Sequence, residues 1–250
     1  MRVAWVTHHL PGERRGRGHL LPGRFAGGAE MTDFEMVAAA PAGVTVDWLP
    51  PSRWEDAADY DRVVVTGTDL LGEDALRGLA ELRPVVWVHH KQSETEARAQ
   101  LFGMADPFVC MSDLHAAAES EWTGVSPEVC NGWIDLSDVS PKQKGEWALW
   151  AARDHEHKGR AEAREWAAQA GVELRELSSV PRAEVLAAMA EARWFVFLPT
   201  FLDACPRTLI EAEASGCEIV TNGLAGRRLP GSLSEVMGGQ RDRLWGWVVG

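Results

Sequence analysis

The sequence predicts an α/β protein built from two doubly wound parallel-sheet halves, and three observations predict it. Short runs rich in Val, Trp and Phe alternate with Ala-rich helical stretches along the chain, the pattern of a parallel sheet covered on both faces. The alternation stops once, between Asn131 and Gly145, where turn formers and polar residues cluster. It then begins again, so each half carries its own sheet. With 250 residues and 46% hydrophobic content, the chain can bury a substantial core.

In order, β-branched and aromatic runs predict strands near 2–8, 44–49, 62–67, 84–89, 107–111 and 127–130. Helical patterns fall between them near 28–40, 72–82, 94–104 and 113–122. The second series predicts strands near 146–152, 172–177, 194–199 and 217–221, with helices near 159–170, 181–192 and 206–215. Pro206 suits a first helical turn and Gly216 a helix end. Residues 224–250 give no clear pattern.

Composition excludes several classes. No apolar run approaches the ~20 residues that span a bilayer, and the N-terminal stretch turns polar too soon for a signal peptide, so a soluble, cytoplasmic protein is expected. Cys110, Cys130, Cys205 and Cys217 lack Cys-x-x-Cys spacing, which favours free thiols over a disulfide frame or a zinc site. A formal charge of −12 argues against general nucleic-acid affinity. One segment reverses it: residues 13–24 hold four arginines, among them Arg14, Arg15 and Arg17, against one acid. Such a loop on an acidic protein marks a candidate contact for an anionic acceptor.

The most informative stretch runs from Phe197 to Asn222. It reads strand, loop, helix, strand. Backbone N–H groups from Cys205 through Pro206 and Arg207 to Thr208, at a helix start, suit a phosphate or diphosphate. Asp203 stands before that turn, and Glu211 follows eight residues later. A carboxylate accepts from neighbouring hydroxyls, so acids on both sides of a phosphate cradle fit a nucleotide sugar.

The run Asp203-Ala-Cys-Pro-Arg-Thr-Leu-Ile-Glu211-Ala-Glu-Ala-Ser-Gly216 resembles the acidic-x7-acidic signature of the retaining GT-B glycosyltransferases of family 4. The usual first acid is Glu; here it is Asp203, one methylene shorter. Asn131-Gly-Trp-Ile-Asp135 resembles the element before that family's interdomain linker, with one extra residue. The resemblance implies a compact GT-B-like fold: two Rossmann-like domains facing across a cleft, with 1–138 on the acceptor side and 139–250 binding the nucleotide sugar. It implies that Asp203 and His90 hold the transferred sugar and Glu211 the ribose.

Arg153 and Lys158, at the end of a strand and five residues on, are two cations placed to clamp a departing diphosphate. Their spacing resembles the family's phosphate-binding pair. Gly27 and Gly28 open the first long helix and allow close approach of backbone to a ligand. His90 lies six residues after Pro84, as the family's cleft histidine does; His8 and His9 end the first strand similarly. Gly16-x-Gly18 is a poor dinucleotide fingerprint, which disfavours a nicotinamide enzyme. His155 and His157 lack metal-ligand spacing, and no metal or cofactor is expected beyond the donor substrate. Trp133 and Trp245 are candidates for ligand stacking. The acceptor is a glycan or a hydroxymethylated base in DNA. The alternative is a non-catalytic nucleotide-binding module that partners an active transferase.

Overall fold

The structure, a computed structural model, describes residues 1–8, 14–15, 18–19 and 28–250 except Leu229, with backbone alone for 14–15, 18–19 and 28. The first sheet opens with β1 (Arg2–Val6). A short antiparallel pair follows, β2 (Arg14–Arg15) with β3 (Gly18–His19), before helix α1 (Gly28–Ala38). Next come β4 (Thr45–Leu49), 3-10 turns at Pro51–Asp59, β5 (Arg62–Val65), a 3-10 turn at Thr68–Leu70, α2 (Glu73–Glu81) and β6 (Val85–Val88). The half ends with α3 (Glu96–Met104), β7 (Phe108–Cys110), α4 (Asp113–Thr123) and β8 (Glu128–Val129). The second half runs β9 (Gly145–Ala152), α5 (Arg160–Ala170), β10 (Glu173–Ser178), α6 (Arg182–Glu191), β11 (Ala192–Phe197), α7 (Arg207–Ala214), β12 (Glu218–Thr221) and α8 (Leu233–Val249).

Six strands pair in parallel in the order β4-β1-β5-β6-β7-β8, and four in the order β10-β9-β11-β12. Period-2 patterning explains how both faces are covered. Val3 and Trp5 enter one cluster with Met36 and Val64, whereas Ala4 and Val6 enter another with Leu76, Leu79 and Leu101. The second sheet divides likewise, Leu149 and Phe195 to one face and Trp150 and Val196 to the other.

The C-terminal stretch, unreadable from sequence, is a 17-residue helix that returns to the first sheet. Leu244, Trp245 and Val248 are buried among Val3, Trp5 and Met36. Trp245 Nε1 donates to the Met36 carbonyl at 3.1 Å. So α8 follows the second sheet in sequence but helps to build the first domain's core. Trp245 is a core residue, which corrects the expectation that it stacks on a ligand. Trp133 is half-buried between the apolar clusters at the domain junction. Among the described residues, no helix is long and apolar enough to cross a membrane.

Candidate active site

In an open parallel sheet, ligands bind beyond the carboxyl ends of strands where the winding direction reverses. The first sheet reverses between β1 and β5, and the second between β9 and β11. Residues that follow β5 and β6 include Asp69 and His90; those that follow β9 and β11 include Arg153, Lys158 and Asp203. The two reversal points are joined across the cleft. Arg153 Nη2 meets both oxygens of Glu30 in α1 at 3.3 Å. The Ser112 hydroxyl, which caps α4, donates to the Ala204 carbonyl.

Lys158 Nζ donates to Asp203 Oδ2 at 2.5 Å, with Asp203 17% exposed. The loops carrying them are strapped together. Thr200 N donates to the His157 carbonyl at 3.1 Å, and Trp150 Nε1 to the Lys158 carbonyl at 3.0 Å. Gly159 adopts φ +70, and a Cβ there would lie 2.0 Å from the Leu198 carbonyl oxygen. Only glycine fits both constraints. The Lys-Gly step therefore seats Lys158 against the Asp203 loop, whose backbone bonds Leu224 O at 2.8 Å and Gly226 N at 2.7 Å.

Glu211, on the first two turns of α7, is 2% exposed. Its Oε1 accepts from Arg182 Nε at 2.8 Å and Arg207 Nε at 2.9 Å. Arg207 also crosses the cleft, placing Nη1 and Nη2 on the two oxygens of Glu35 in α1 at 2.7 and 2.6 Å. Burial works against the Arg207 charge, but Glu35 and Glu211 outweigh it and raise its pKa. Glu35 further accepts the backbone N–H of Asp135 in the interdomain linker at 3.1 Å.

His90 and its neighbour separate cleanly. The His89 side chain is 3% exposed, its ring 4.5 Å from that of Trp87 and its Nε2 3.6 Å from Asp33 Oδ1. His90 is exposed and its Nε2 pairs with Asp69. That bond to Asp69 raises the His90 pKa against the opposing effect of partial desolvation by the surrounding loop, with smaller help from Glu119 and Asp203. Burial pushes Asp69 upward, but His90, Arg98 and His8 together bring it below its ordinary value. Gln92 holds the loop: its Nε2 donates to the His90 carbonyl at 2.8 Å, and its backbone N–H to buried Glu119 at 2.8 Å.

The structure thus brings Asp203, Lys158, Arg153, Glu211 and the start of α7 to one edge, and sets His90 on the opposite domain. One correction concerns the helix start. Helix α7 begins at Arg207 with Pro206 as its cap, and proline has no amide hydrogen, so Pro206 cannot donate to a phosphate. Cys205, Arg207 and Thr208 retain theirs. The Cys205 thiol is pushed up to about 12, mainly by burial, and is a packed group rather than a nucleophile. The four cysteines are free. Gly28 starts α1; Gly27, Arg17 and His9 lie outside the described residues, as do the side chains of Arg14 and Arg15.

Sequence reading missed Glu35, Asp69 and Arg182, and it took Glu30 only as the end of the Gly27-Gly28-Ala-Glu string opposite the diphosphate, with no role of its own. A signal was available for one group. Arg160, Arg182 and Arg207 are the first residues of α5, α6 and α7, where the helix dipole disfavours a cation. Each is paired with a carboxylate that offsets this: Arg160 with Glu176, Arg182 with Glu211, and Arg207 with Glu35 and Glu211.

No family model matches the chain, and no curated protein matches it in sequence. Solved structures do. AviGT4, a glycosyltransferase involved in avilamycin A biosynthesis, is 16% identical over 99% of this chain and 94% of its own, with a TM-score of 0.63. Anabaena HepE in complex with UDP and glucose is 12% identical over 100% and 92%, with a TM-score of 0.59. An α-glucosyltransferase in complex with UDP and a 13-mer DNA containing an HMU base is 12% identical over 99% and 95%, with a TM-score of 0.52. Shared architecture at such low identity is a likeness of fold: this chain has the GT-B-like arrangement, two parallel-sheet α/β domains of six and four strands facing across a cleft.

Proposed function

We propose that this protein is a retaining glycosyltransferase that moves a sugar from a nucleotide diphosphate sugar to an acceptor hydroxyl. The observation that carries the reading is the convergence of Lys158, Asp203, Arg153 and the α7 start at the second sheet's reversal point, with Glu211 just inside the helix. Cations and helix amides at such a point suit a diphosphate. UDP is the first donor nucleotide to test, because the HepE and α-glucosyltransferase structures hold it.

In this reading residues 1–138 form the acceptor side and 139–250 the donor side, with α8 bridging back. Arg153, Lys158 and the amides of Cys205, Arg207 and Thr208 hold the diphosphate and stabilise the charge that grows as it leaves. Oε2 of Glu211 takes the ribose, and Asp203 with His90 takes the sugar. Asp203 releases Lys158 when a phosphate arrives, since both want the same ammonium. The departing phosphate accepts the acceptor proton on the face that it leaves, which gives retention without a carboxylate nucleophile.

The acceptor is a glycan or a hydroxymethylated base in DNA. The arginine-rich segment 13–24 favours an anionic one, and a neighbour of like fold, the α-glucosyltransferase, is solved in complex with DNA, which supports testing DNA first. DNA binding that falls with salt and with replacement of Arg14, Arg15 and Arg17 selects DNA; salt-independent behaviour selects a neutral glycan.

The test is a thermal-shift series with UDP, GDP, ADP and CDP and their sugar conjugates, repeated on Glu211→Ala. A ligand at ~100 times its Kd stabilises by ~2.7 kcal/mol. One series stabilising the wild type and not the variant is the expected result; no series doing so refutes the donor site. Nucleotide binding without turnover of any conjugate points to the non-catalytic partner subunit.

A further inference from the structure

The ribose carboxylate of the proposed donor site shares an arginine with the other domain. Arg207 is 7% exposed, and its guanidinium divides between two carboxylates. Its Nη fork lies on Glu35 of α1 at 2.6 and 2.7 Å, and only its Nε reaches Glu211, at 2.9 Å. Arg182 Nε adds a second donor to the same oxygen at 2.8 Å. Oε1 of Glu211 is therefore doubly occupied, while Oε2 receives no donor among the described residues. Glu35 sits 172 positions from Arg207 in sequence, so this division exists only while the first domain is docked on the second.

We propose that Glu35 is a positioning residue for donor binding: by engaging the Nη fork of Arg207, it keeps that arginine from closing on Glu211 and leaves Oε2 open to the ribose hydroxyls. This rests on the reading of Glu211 as the ribose carboxylate. A guanidinium prefers a two-point pairing with a carboxylate, and a buried one does not stay unpaired. Without Glu35, the carboxylate left to Arg207 is Glu211. Rotation of the fork then gives Glu211 a two-point arginine pair on both oxygens, and the ribose competes with it. Separation of the domains removes Glu35 in the same way, so the cleft holds nucleotide tightly only when docked. Donor affinity and docking are coupled reciprocally through one side chain.

The experiment is calorimetric titration with UDP of the wild type, Glu35→Ala, Arg207→Leu and the double variant, each checked for a cooperative melt. Loss of a charge-assisted bond to the ribose predicts that Glu35→Ala weakens UDP binding about tenfold or more. The double variant lacks the competing arginine and recovers to within about threefold of wild type. Glu35→Gln, which keeps the side-chain shape but has no charge to hold the fork, falls between wild type and Glu35→Ala. It carries the comparison if the alanine variant does not fold. Unchanged affinity in the Glu35 variants overturns the proposal. So does a double variant no better than Glu35→Ala, because damage to the fold is not rescued by removing a second partner. If UDP does not bind the wild type, the same titration is made with GDP, ADP and CDP; a wild type that binds none of them overturns the donor-site reading and this proposal together, an outcome distinct from the other two.

Discussion

Gly159 and Gly171 flank the same helix, α5, and both adopt left-handed backbone, at φ +70 and +67. They differ in surroundings. A Cβ on Gly171 would meet nothing within 4 Å, whereas one on Gly159 would lie 2.0 Å from the Leu198 oxygen and 2.3 Å from its carbon. Gly171→Ala carries the left-handed penalty alone, ~1–2 kcal/mol. Gly159→Ala adds overpacking against backbone, ~1–3 kcal/mol more, for a total of ~2–5 kcal/mol. The separation should also carry Lys158 away from Asp203, because His157 and Lys158, next to Gly159, are bonded to Thr200 and Trp150 and would shift with it. Urea melts of the two variants at a common m-value read the difference, and UDP titration reads the displacement. Equal destabilisation of both, with UDP affinity unchanged in Gly159→Ala, would refute the inference that this glycine seats Lys158, the lysine proposed to bind phosphate.

Three further outcomes follow from the site and the core. Asp69→Asn should return the His90 titration, followed by NMR of its ring proton, toward the ordinary value near ~6.5; Arg98, His8, Glu119 and Asp203, which also face the pair, remain. In the wild type, the stability that His90 adds is complete below that ordinary value and is lost as pH rises through its elevated pKa. The contribution of Asp69 is lost only as pH falls through its lowered one. Asp203→Asn should keep UDP binding within a few-fold while UDP-sugar turnover falls ~10²-fold or more, measured as UDP release. Trp245→Ala should cost ~3–5 kcal/mol in a chemical melt, the range for a large buried aromatic, because its ring closes the first domain's core.

Strand and helix positions were legible because both signals are local. Val85–Val88 and Trp194–Phe197 announce themselves by composition, and the polar break at 131–145 marks the domain crossing. Asp203, Lys158, Arg153 and Glu211 stood out as candidates through spacing and resemblance, and each lies within a few residues of a strand end or helix start. Glu35 was not: an acid on a helix is ordinarily solvated, and its partner is 172 residues away. Asp69 follows β5 and His90 follows β6, so only the sheet order makes them neighbours. Helix α8 escaped for another reason. Gly238, Gly239 and Gly246 interrupt its sequence and weaken its intrinsic preference. What holds it is burial of Leu244, Trp245 and Val248, a tertiary effect.

The contact between the domains has an apolar floor and a charged rim, and the two behave differently. Ala204 and Cys205 of the second domain pack into the cluster that contains Trp87, Met111 and Cys130 of the first. Ile134, Ile210, Val236 and Met237 extend that floor. Among the described residues, the charged contacts include Arg153 on Glu30 and, further in, Arg207 on Glu35. Exposed ion pairs contribute at most ~1 kcal/mol, whereas a buried pair resists losing one partner. Arg153 is 61% exposed, so a diphosphate can draw it from Glu30 at little cost. Arg207 is 7% exposed and Glu35 12%, so their pair outlasts that exchange. In the proposed donor reading, a diphosphate replaces the outer contact and leaves the inner one in place, so the cleft loads phosphate without first opening at Glu35.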